Sequence, residues 1–587
     1  MRFEKLIRKL FKTNTRKYVL LPLVVASSFF YYSCNKNEIN IPENLSLAET
    51  KIFLLQQSNQ NILISSVDSS LFAFSVVYEN GKTFNIGKDY VKQTQKNMAT
   101  WSTKITLVDN TVFVLPSIGT FNIADSVVVN PFGTAPLSAL ATITMPVKGK
   151  FAVTVLGKPN GGISITKTFN SFDNYHQFPI LGLYNNYANQ VLVQFLSAAG
   201  TVRASQTITL QTDAVPNKPV LNIMANNLSP TDQSIYSVSA SGSLTSLFPM
   251  GFDQKGEIRW YYSGDLFELF GKLANGNLIV NSAQNLRFYH SPGLNEITMT
   301  GQLVRYYPVP NYQHHDVWEM PNGNLLVATN SAPVDFSSPQ SREDMVAEIS
   351  RTTGQIVRTI NFGSVIDPSR QTLPSEDGPG DWMHLNRVMY TSADSSLLIS
   401  SRSQCAIIKM NYVTQQIKWI LGAHQFWNAP WSAYLLTPVD ANSVPVNADS
   451  LDFWSYGQHQ PWQLPNGNIL MYDDGDYRNY YSNPNALLQS YSRGLEYKID
   501  EKKRTVQLVW QYDNDQSVFT EFTGTIMQDE ATNSRLIGYM SNSTVSKGAT
   551  PQILQIDSQN NILFQVTVNL GQNYYRALKF NLYDGMN

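Results

Sequence analysis

The 587 residues predict an all-β chain: a six-bladed β-propeller preceded by N-terminal β-sandwich, Ig-like domains. Three observations carry this. The composition is 43% hydrophobic and 12% aromatic but only 15% charged, rich in Tyr and Phe, a balance that suits pleated sheet. A strand-turn-strand phrase recurs through the second half, as "ANGNLIV" (274), "PNGNLLV" (321), "SADSSLLIS" (392), "PNGNILM" (465) and "TNSRLIG" (532). A second phrase recurs six times, as "KGEIRWYY" (255), "TGQLVRYY" (300), "TGQIVRTI" (353), "TQQIKWIL" (414), "RTVQLVWQY" (504) and "QNNILFQV" (559).

From the N-terminus, basic "MRFEKLIRKLFKTNTRK" precedes the apolar run 18–33, which is short of the ~20 residues of a spanning helix. This predicts an export signal over 1–33. Polar residues begin directly after Cys34, an arrangement that resembles a bacterial lipoprotein signal with Cys34 acylated. The expected location is therefore exported, membrane-anchored by lipid, on a periplasmic or cell-surface face. Only Cys405 remains as a second thiol, so a lipidated chain has no intramolecular disulfide and relies on its core. Residues 35–125 alternate apolar and polar in short runs and predict a small β-domain. Residues 126–215 hold strand-like runs ("LSALATITM", "KGKFAVTVLGK", "NQVLVQFLSAAGTV", "ASQTITLQT") at β-sandwich spacing.

Residues 220–587 hold the repeats. Asn-Gly is expected to form two-residue type I′ hairpins, and each pair of phrases then makes a four-stranded antiparallel sheet. Such sheets bury their faces by radial packing. The first repeat lacks an Asn-Gly hairpin, so a blade closed by strands from both ends of the region is expected, with 575–585 as the closing strand. The insertions 361–383 and 422–456 read as functional loops. A formal net charge of −1 gives no field for nucleic acid.

The chain has seven histidines, five of them between 314 and 459. His315 and His459 occupy the same place in one frame, "HDVWEMPNGN" and "HQPWQLPNGN", and His384 precedes a third turn in "DWMHLNRVMYTSADSS". If these residues start inner strands, the three imidazoles face a common channel. Asn386, two residues after His384, shares its side, and Arg402 and Gln404 share theirs. Donors around one guanidinium suit a tetrahedral oxyanion. Each histidine alone could instead hold a neighbouring blade's backbone. Three histidines could bind zinc with an open position, but Arg402 would repel the cation and no HxH or HExxH pair occurs, so no metal and no cofactor is expected. Trp318 and Trp462 read as packing between blades, Cys405 as a buried apolar residue, and His314 and His424 as structural or rim residues.

"HHDVWEMPNGNLLV", "DWMHLNRVMY", "SSRSQCAIIKM…IKWILG", "GQHQPWQLPNGNILMYDDGDYR" and "SRGLEYKIDEKKRTVQLVWQY" are similar, in order and spacing, to the bacterial arylsulfate sulfotransferases, which move a sulfuryl group between phenols without a nucleotide donor. "NPFGTAPLSALATI" and "FPILGLYNNYANQV" resemble that family's β-sandwich, and the likeness runs from about 130 to the C-terminus. The resemblance implies an aryl sulfate donor, a phenolic acceptor and a ping-pong reaction through a sulfurylated histidine, with a homodimer allowed. His459 matches that histidine, and His315, His384, Asn386 and Arg402 match the sulfate-binding and acid/base set. Thr525 is a candidate for a further threonine. Family members can carry a loop disulfide near the nucleophile, whereas 422–456 contains no cysteine. A non-catalytic surface propeller, a sulfate-ester hydrolase and a metal-dependent lyase are the competing readings.

Overall fold

A computed structural model describes residues 46–58, 61–69, 73–216, 218–240, 249–264, 268–282, 289–334, 342–370, 372–374, 380–482, 491–540, 550–569 and 574–586. The signal-like segment and Cys34 lie outside them. Contacts divide the chain into two units, one holding the residues through Phe121 with Pro146–Lys148, the other holding the rest.

In the first unit Ser46 and Glu49 form a reciprocal capping box at the start of the helix Leu47–Gln57, satisfying amides that the helix itself leaves open. Reading 35–125 as strands alone missed this helix, which buries Leu54. Two three-stranded antiparallel sheets follow, Ile64–Ser69, Ala73–Tyr78 and Thr83–Gly87, then Val91–Asn97, Ser102–Leu107 and Val112–Pro116. Leu54, Phe74, Val76, Phe84, Ile86, Ile105 and Leu107 form its core.

The second unit opens with the sandwich. The two strands expected at 137–158 are one strand, Ser138–Val155. Its first half pairs with Asp173–Leu181 and its second half with Ala188–Leu196, so one strand serves both sheets, as at the corners of packed sandwiches. The sandwich is tied to the repeat region by Arg259. This buried side chain pairs with Asp253 at 2.7 Å, donates to the Gly182 and Ile163 carbonyls at 2.8 and 2.9 Å, and lies over the Tyr184 ring. Beside it the Thr134 hydroxyl donates to the Gly301 carbonyl at 2.9 Å.

The repeats fold as antiparallel sheets. The strands Leu303–Glu319, Leu385–Thr391, His459–Gln463, Gly524–Asp529 and Tyr574–Phe580 touch in succession. Arg576 on the last strand donates to the Phe270 carbonyl at 3.2 Å, beside Leu269–Lys272, which returns to Leu303–Glu319. The sheets thereby curl into a circle of the propeller kind. Closure draws on both ends of the region: Tyr574–Phe580 pairs with Ile235–Ala240, and Val220–Asn226 pairs with Ile562–Asn569.

The Asn-Gly turns differ from the type I′ expectation. Gly276, Gly323 and Gly467 have φ of +85°, +82° and +87°, but the preceding asparagines are not left-handed. Gly276 N–H donates to the Leu273 carbonyl and Leu273 N–H to the Asn277 carbonyl, the pattern of a three-residue loop with a glycine bulge. The second asparagine explains why the phrase repeats. Asn277, Asn324 and Asn468 each donate to a glutamate on the next strand, Glu296, Glu348 and Glu496, at 2.6, 2.7 and 2.5 Å. The six-fold tail phrase also has one conformational meaning: Gly256, Gly301, Gly354, Gln415, Arg504 and Asn560 all take left-handed φ at its turn. Trp318 and Trp462 flank the Arg387 guanidinium at 5.2 and 4.1 Å, packing between neighbouring sheets.

Candidate active site

The site lies at the start of Leu385–Thr391 and of His459–Gln463 and near the end of Leu303–Glu319, and each of the three strands is irregular there. His315 has φ +50° within a register slip between Gln313 and Val317. His384 has φ +44° just before a slip between Leu385 and Arg387, and Gln460, next to His459, has φ +49° within a slip between His459 and Trp462. A non-glycine residue pays roughly 1–3 kcal/mol for such a conformation, and the bulges re-aim side chains that regular alternation would send to opposite faces.

The structure brings the expected residues together. The rings of His315 and His384 are 4.5 Å apart, and Tyr575 lies 5.7 Å from His315 and 6.2 Å from His459. Arg402 hydrogen-bonds through its own N–H to the His384 carbonyl at 3.1 Å, and its guanidinium pairs with Asp476 at 3.0 Å. Asn386 donates to the Gln458 carbonyl at 2.8 Å, and its side-chain oxygen has no hydrogen-bond partner among the described residues. All five are buried. Gln404 goes elsewhere, to Arg370 and the Trp382 carbonyl, because 402–405 is a turn to which strand alternation does not apply. Thr525 accepts from Ala577 N–H at 2.9 Å, which ties it to the closing strand. Thr523, two residues earlier, has φ +65° and a buried hydroxyl without a partner among the described residues. His424 bonds the Leu436 carbonyl at 2.9 Å inside the 422–456 segment. The Thr437–Pro438 strand of that segment lies along the outer strand Thr505–Tyr512, so part of the insertion is scaffold.

Buried acids complete the site. His459 Nδ1 contacts the Gly457 carbonyl at 3.1 Å and Asp474 at 2.9 Å. A carbonyl only accepts, so Nδ1 carries the proton and Nε2 the lone pair. His384 Nδ1 meets Asp381 at 2.5 Å, and Asp381 also accepts the His384 N–H at 3.0 Å. Glu343, at the entry to Met345–Ile349, contacts His290, His315 and His384 at 3.2, 3.4 and 3.3 Å and accepts from the Tyr289 hydroxyl at 2.7 Å. Asp474 and Asp476 stand in "MYDDGDYR" and Glu343 in "SREDMV". Their spacing from the histidines is long-range, and only an acidic residue opening or closing a strand marked them.

Burial governs the protonation of the site. It holds His315 and His459 well below the ordinary imidazole value, helped at His315 by His384 and at His459 by the Arg402 charge. Burial likewise pushes His290 down to about 4 and lifts the Asp474 carboxyl. His314, His315 and Glu343 form one group, and Glu343, Asp381 and His384 another, each with its ligand atoms within 4.8 Å of one another. Glu343 and Asp381 thus bring negative charge to a place where the sequence marked only the Arg402 cation. A separate cavity of about 730 Å³, lined by Thr166, Lys167, Asp232, Asp529 and Lys579, has Lys579 matched by the two aspartates.

Comparison with known proteins identifies two family regions in the chain. The family described as Arylsulfotransferase (ASST) matches residues 220–576, and its Arylsulfotransferase Ig-like domain matches 126–213. The arylsulfate sulfotransferase AssT of Escherichia coli O6:H1 is 26% identical over 561 residues, covering 77% of this chain and 92% of that protein. The AssT of Lelliottia amnigena is 24% identical with the same coverage. Among solved structures, a 6-phosphogluconolactonase-like protein of Bacteroides uniformis aligns at TM-score 0.33 and 9% identity, covering 73% of this chain and 99% of that one, too remote to carry an argument. With the family matched across the whole repeat region and its Ig-like partner domain directly upstream, the chain belongs to the arylsulfotransferase family, enzymes that transfer a sulfuryl group from aryl sulfates.

Proposed function

We propose that the chain moves a sulfuryl group from an aryl sulfate to a phenol by a ping-pong route, on a six-bladed ring, with His459 as the nucleophile. The observation that carries this is the His459 tautomer: Nδ1 is committed to Gly457 and Asp474, which makes Nε2 the basic atom beside Arg402. A neutral imidazole is the nucleophile the first step requires. Nε2 attacks sulfur as the S–O bond to the aryl group breaks. The ring gains positive charge on becoming N-sulfohistidine, and its Nδ1–H stays held by the Gly457 carbonyl and Asp474. Arg402, Asn386 and His315 hold the sulfuryl oxygens, each preorganised donor contributing roughly 10²–10³ in rate. Asp381 accepts the Nδ1 proton of His384, so His384 Nε2 is the atom that gives a proton to the departing phenoxide and later takes one from the acceptor phenol. Export and acylation of Cys34 belong to the same reading, since phenolic esters of external origin would meet an anchored enzyme outside the cell.

The test uses p-nitrophenyl sulfate with and without phenol. The expected result is a burst of about one equivalent of nitrophenolate without phenol, steady turnover with it, and a sulfuryl adduct on the His459 peptide by mass spectrometry. Full turnover in His459→Asn, or turnover with water as good as with phenol, would overturn the proposal.

A further inference from the structure

Consecutive residues of a regular strand point to opposite faces, yet the Nδ1 atoms of His314 and His315 lie 3.0 Å apart. The left-handed φ of His315, inside the register slip of its strand, is what turns both rings to one side. They meet a carboxylate there. Glu343 Oε2 is 3.4 Å from His315 Nδ1 and 4.0 Å from His314 Nδ1. The other oxygen, Oε1, is held by the Tyr289 hydroxyl at 2.7 Å and contacts His290 Nε2 at 3.2 Å. All three ligating residues are buried, His314 and Glu343 completely.

We infer that His314, His315 and Glu343 form a binding site for a divalent cation of the zinc class. Bonds of about 2.0–2.2 Å to tetrahedral zinc place neighbouring ligand atoms about 3.4 Å apart. The separations of 3.0, 3.4 and 4.0 Å bracket that edge. Two imidazoles and one carboxylate leave the fourth position open, the pattern of sites that bind an exchangeable oxygen ligand. Tyr289 and His290 act on Glu343 as outer partners that fix which oxygen faces the ion. Glu343 also belongs to a second group with Asp381 and His384, but His384 Nδ1 is already hydrogen-bonded to Asp381 at 2.5 Å, so the paired histidines are the better ligands. Arg402 does not oppose the cation as the sequence implied, because Asp476 pairs with it.

The site is tested without any ester substrate, so its failure leaves the sulfuryl-transfer reading standing, and the reverse. The full chain, stripped with chelator, is titrated with Co²⁺ and then with Zn²⁺. The expected result is one equivalent of Co²⁺ with the visible d–d absorption of a four-coordinate site, displaced by Zn²⁺. His314→Ala and Glu343→Gln should each weaken binding by roughly 10–100-fold or more, while His459→Asn keeps the stoichiometry. Circular dichroism confirms folding, and Glu343→Gln, which keeps the side chain's shape, stands in if His314→Ala fails to fold. No stoichiometric cobalt, or cobalt binding unchanged in both ligand variants, would overturn the inference and leave the cluster a hydrogen-bonded one.

Discussion

At the scale of single residues, the site works by withholding water. His459 and His315 are kept neutral chiefly by burial, so the nucleophile stays available at pH values where an exposed imidazole, with a pKa near 6.5, would be protonated. The acid limb of the rate profile, measured as kcat/KM for p-nitrophenyl sulfate, should therefore lie below about pH 6.5. Asp381 and Asp474 each touch Nδ1 of a histidine assigned to the chemistry and act as positioning residues. Asp381→Asn and Asp474→Asn should lower kcat by roughly 10²–10⁴, as when a histidine loses the acceptor that fixes its tautomer. KM should change little, and the acid limb should move. Unchanged pH profiles in both variants would show that the carboxylates serve only packing.

At the scale of elements, turns carry most of the repeat's meaning. Gly301 and Gly323 both have left-handed φ, at +90° and +82°. A methyl group on Gly301 would sit 2.2 Å from Thr134 Oγ1, whereas one on Gly323 meets nothing within 4 Å. Gly323→Ala should cost only the backbone strain of about 1–2 kcal/mol. Gly301→Ala adds overpacking of roughly 1–3 kcal/mol at the sandwich contact. Urea unfolding of the two variants separates the terms, and equal midpoints would contradict the contact. The asparagine-to-glutamate bonds that follow each Asn-Gly turn give the phrase a second constraint. Asn324→Ala, which takes a donor from the buried Glu348, should destabilise by about 1–3 kcal/mol.

At the scale of the molecule, the circle depends on its closing strand. Tyr574–Phe580 pairs with Ile235–Ala240, and its Arg576 pairs with Asp316 at 3.1 Å and donates to the His315 carbonyl. Truncation before Tyr574 should abolish cooperative unfolding, measured by calorimetry, and with it the site, because the edge of Ile235–Ala240 is left unpaired and the buried Asp316 keeps Arg387 as its ion-pair partner but loses Arg576. Acid acts on the whole molecule too. Folded His290, His314, His315 and His459 bind protons more weakly than the unfolded chain. Their contribution to stability is full above about pH 6.5 and is lost as pH falls, by up to about 1.4 kcal/mol per group per unit. For His290 the loss extends down to about pH 4. A melting temperature that holds constant from pH 7 to 5 would contradict the buried neutral imidazoles.

The residue pattern alone predicted the β architecture, the closing strand, the packing of Trp318 and Trp462 between sheets, and that His315, His384, Asn386, Arg402 and His459 would lie near one another. Those are local signals: a turn phrase and its spacing repeat wherever the same strand geometry repeats. Tertiary structure decided that the Asn-Gly loops have three residues and that Glu343, Asp474 and Asp476 join the histidines. Each outcome depends on what a segment packs against. Glu343 and Asp476 find their partners across sheets 28 to 74 residues apart in sequence, which is the physical reason no local pattern announced them, whereas Asp381 stands three residues before His384.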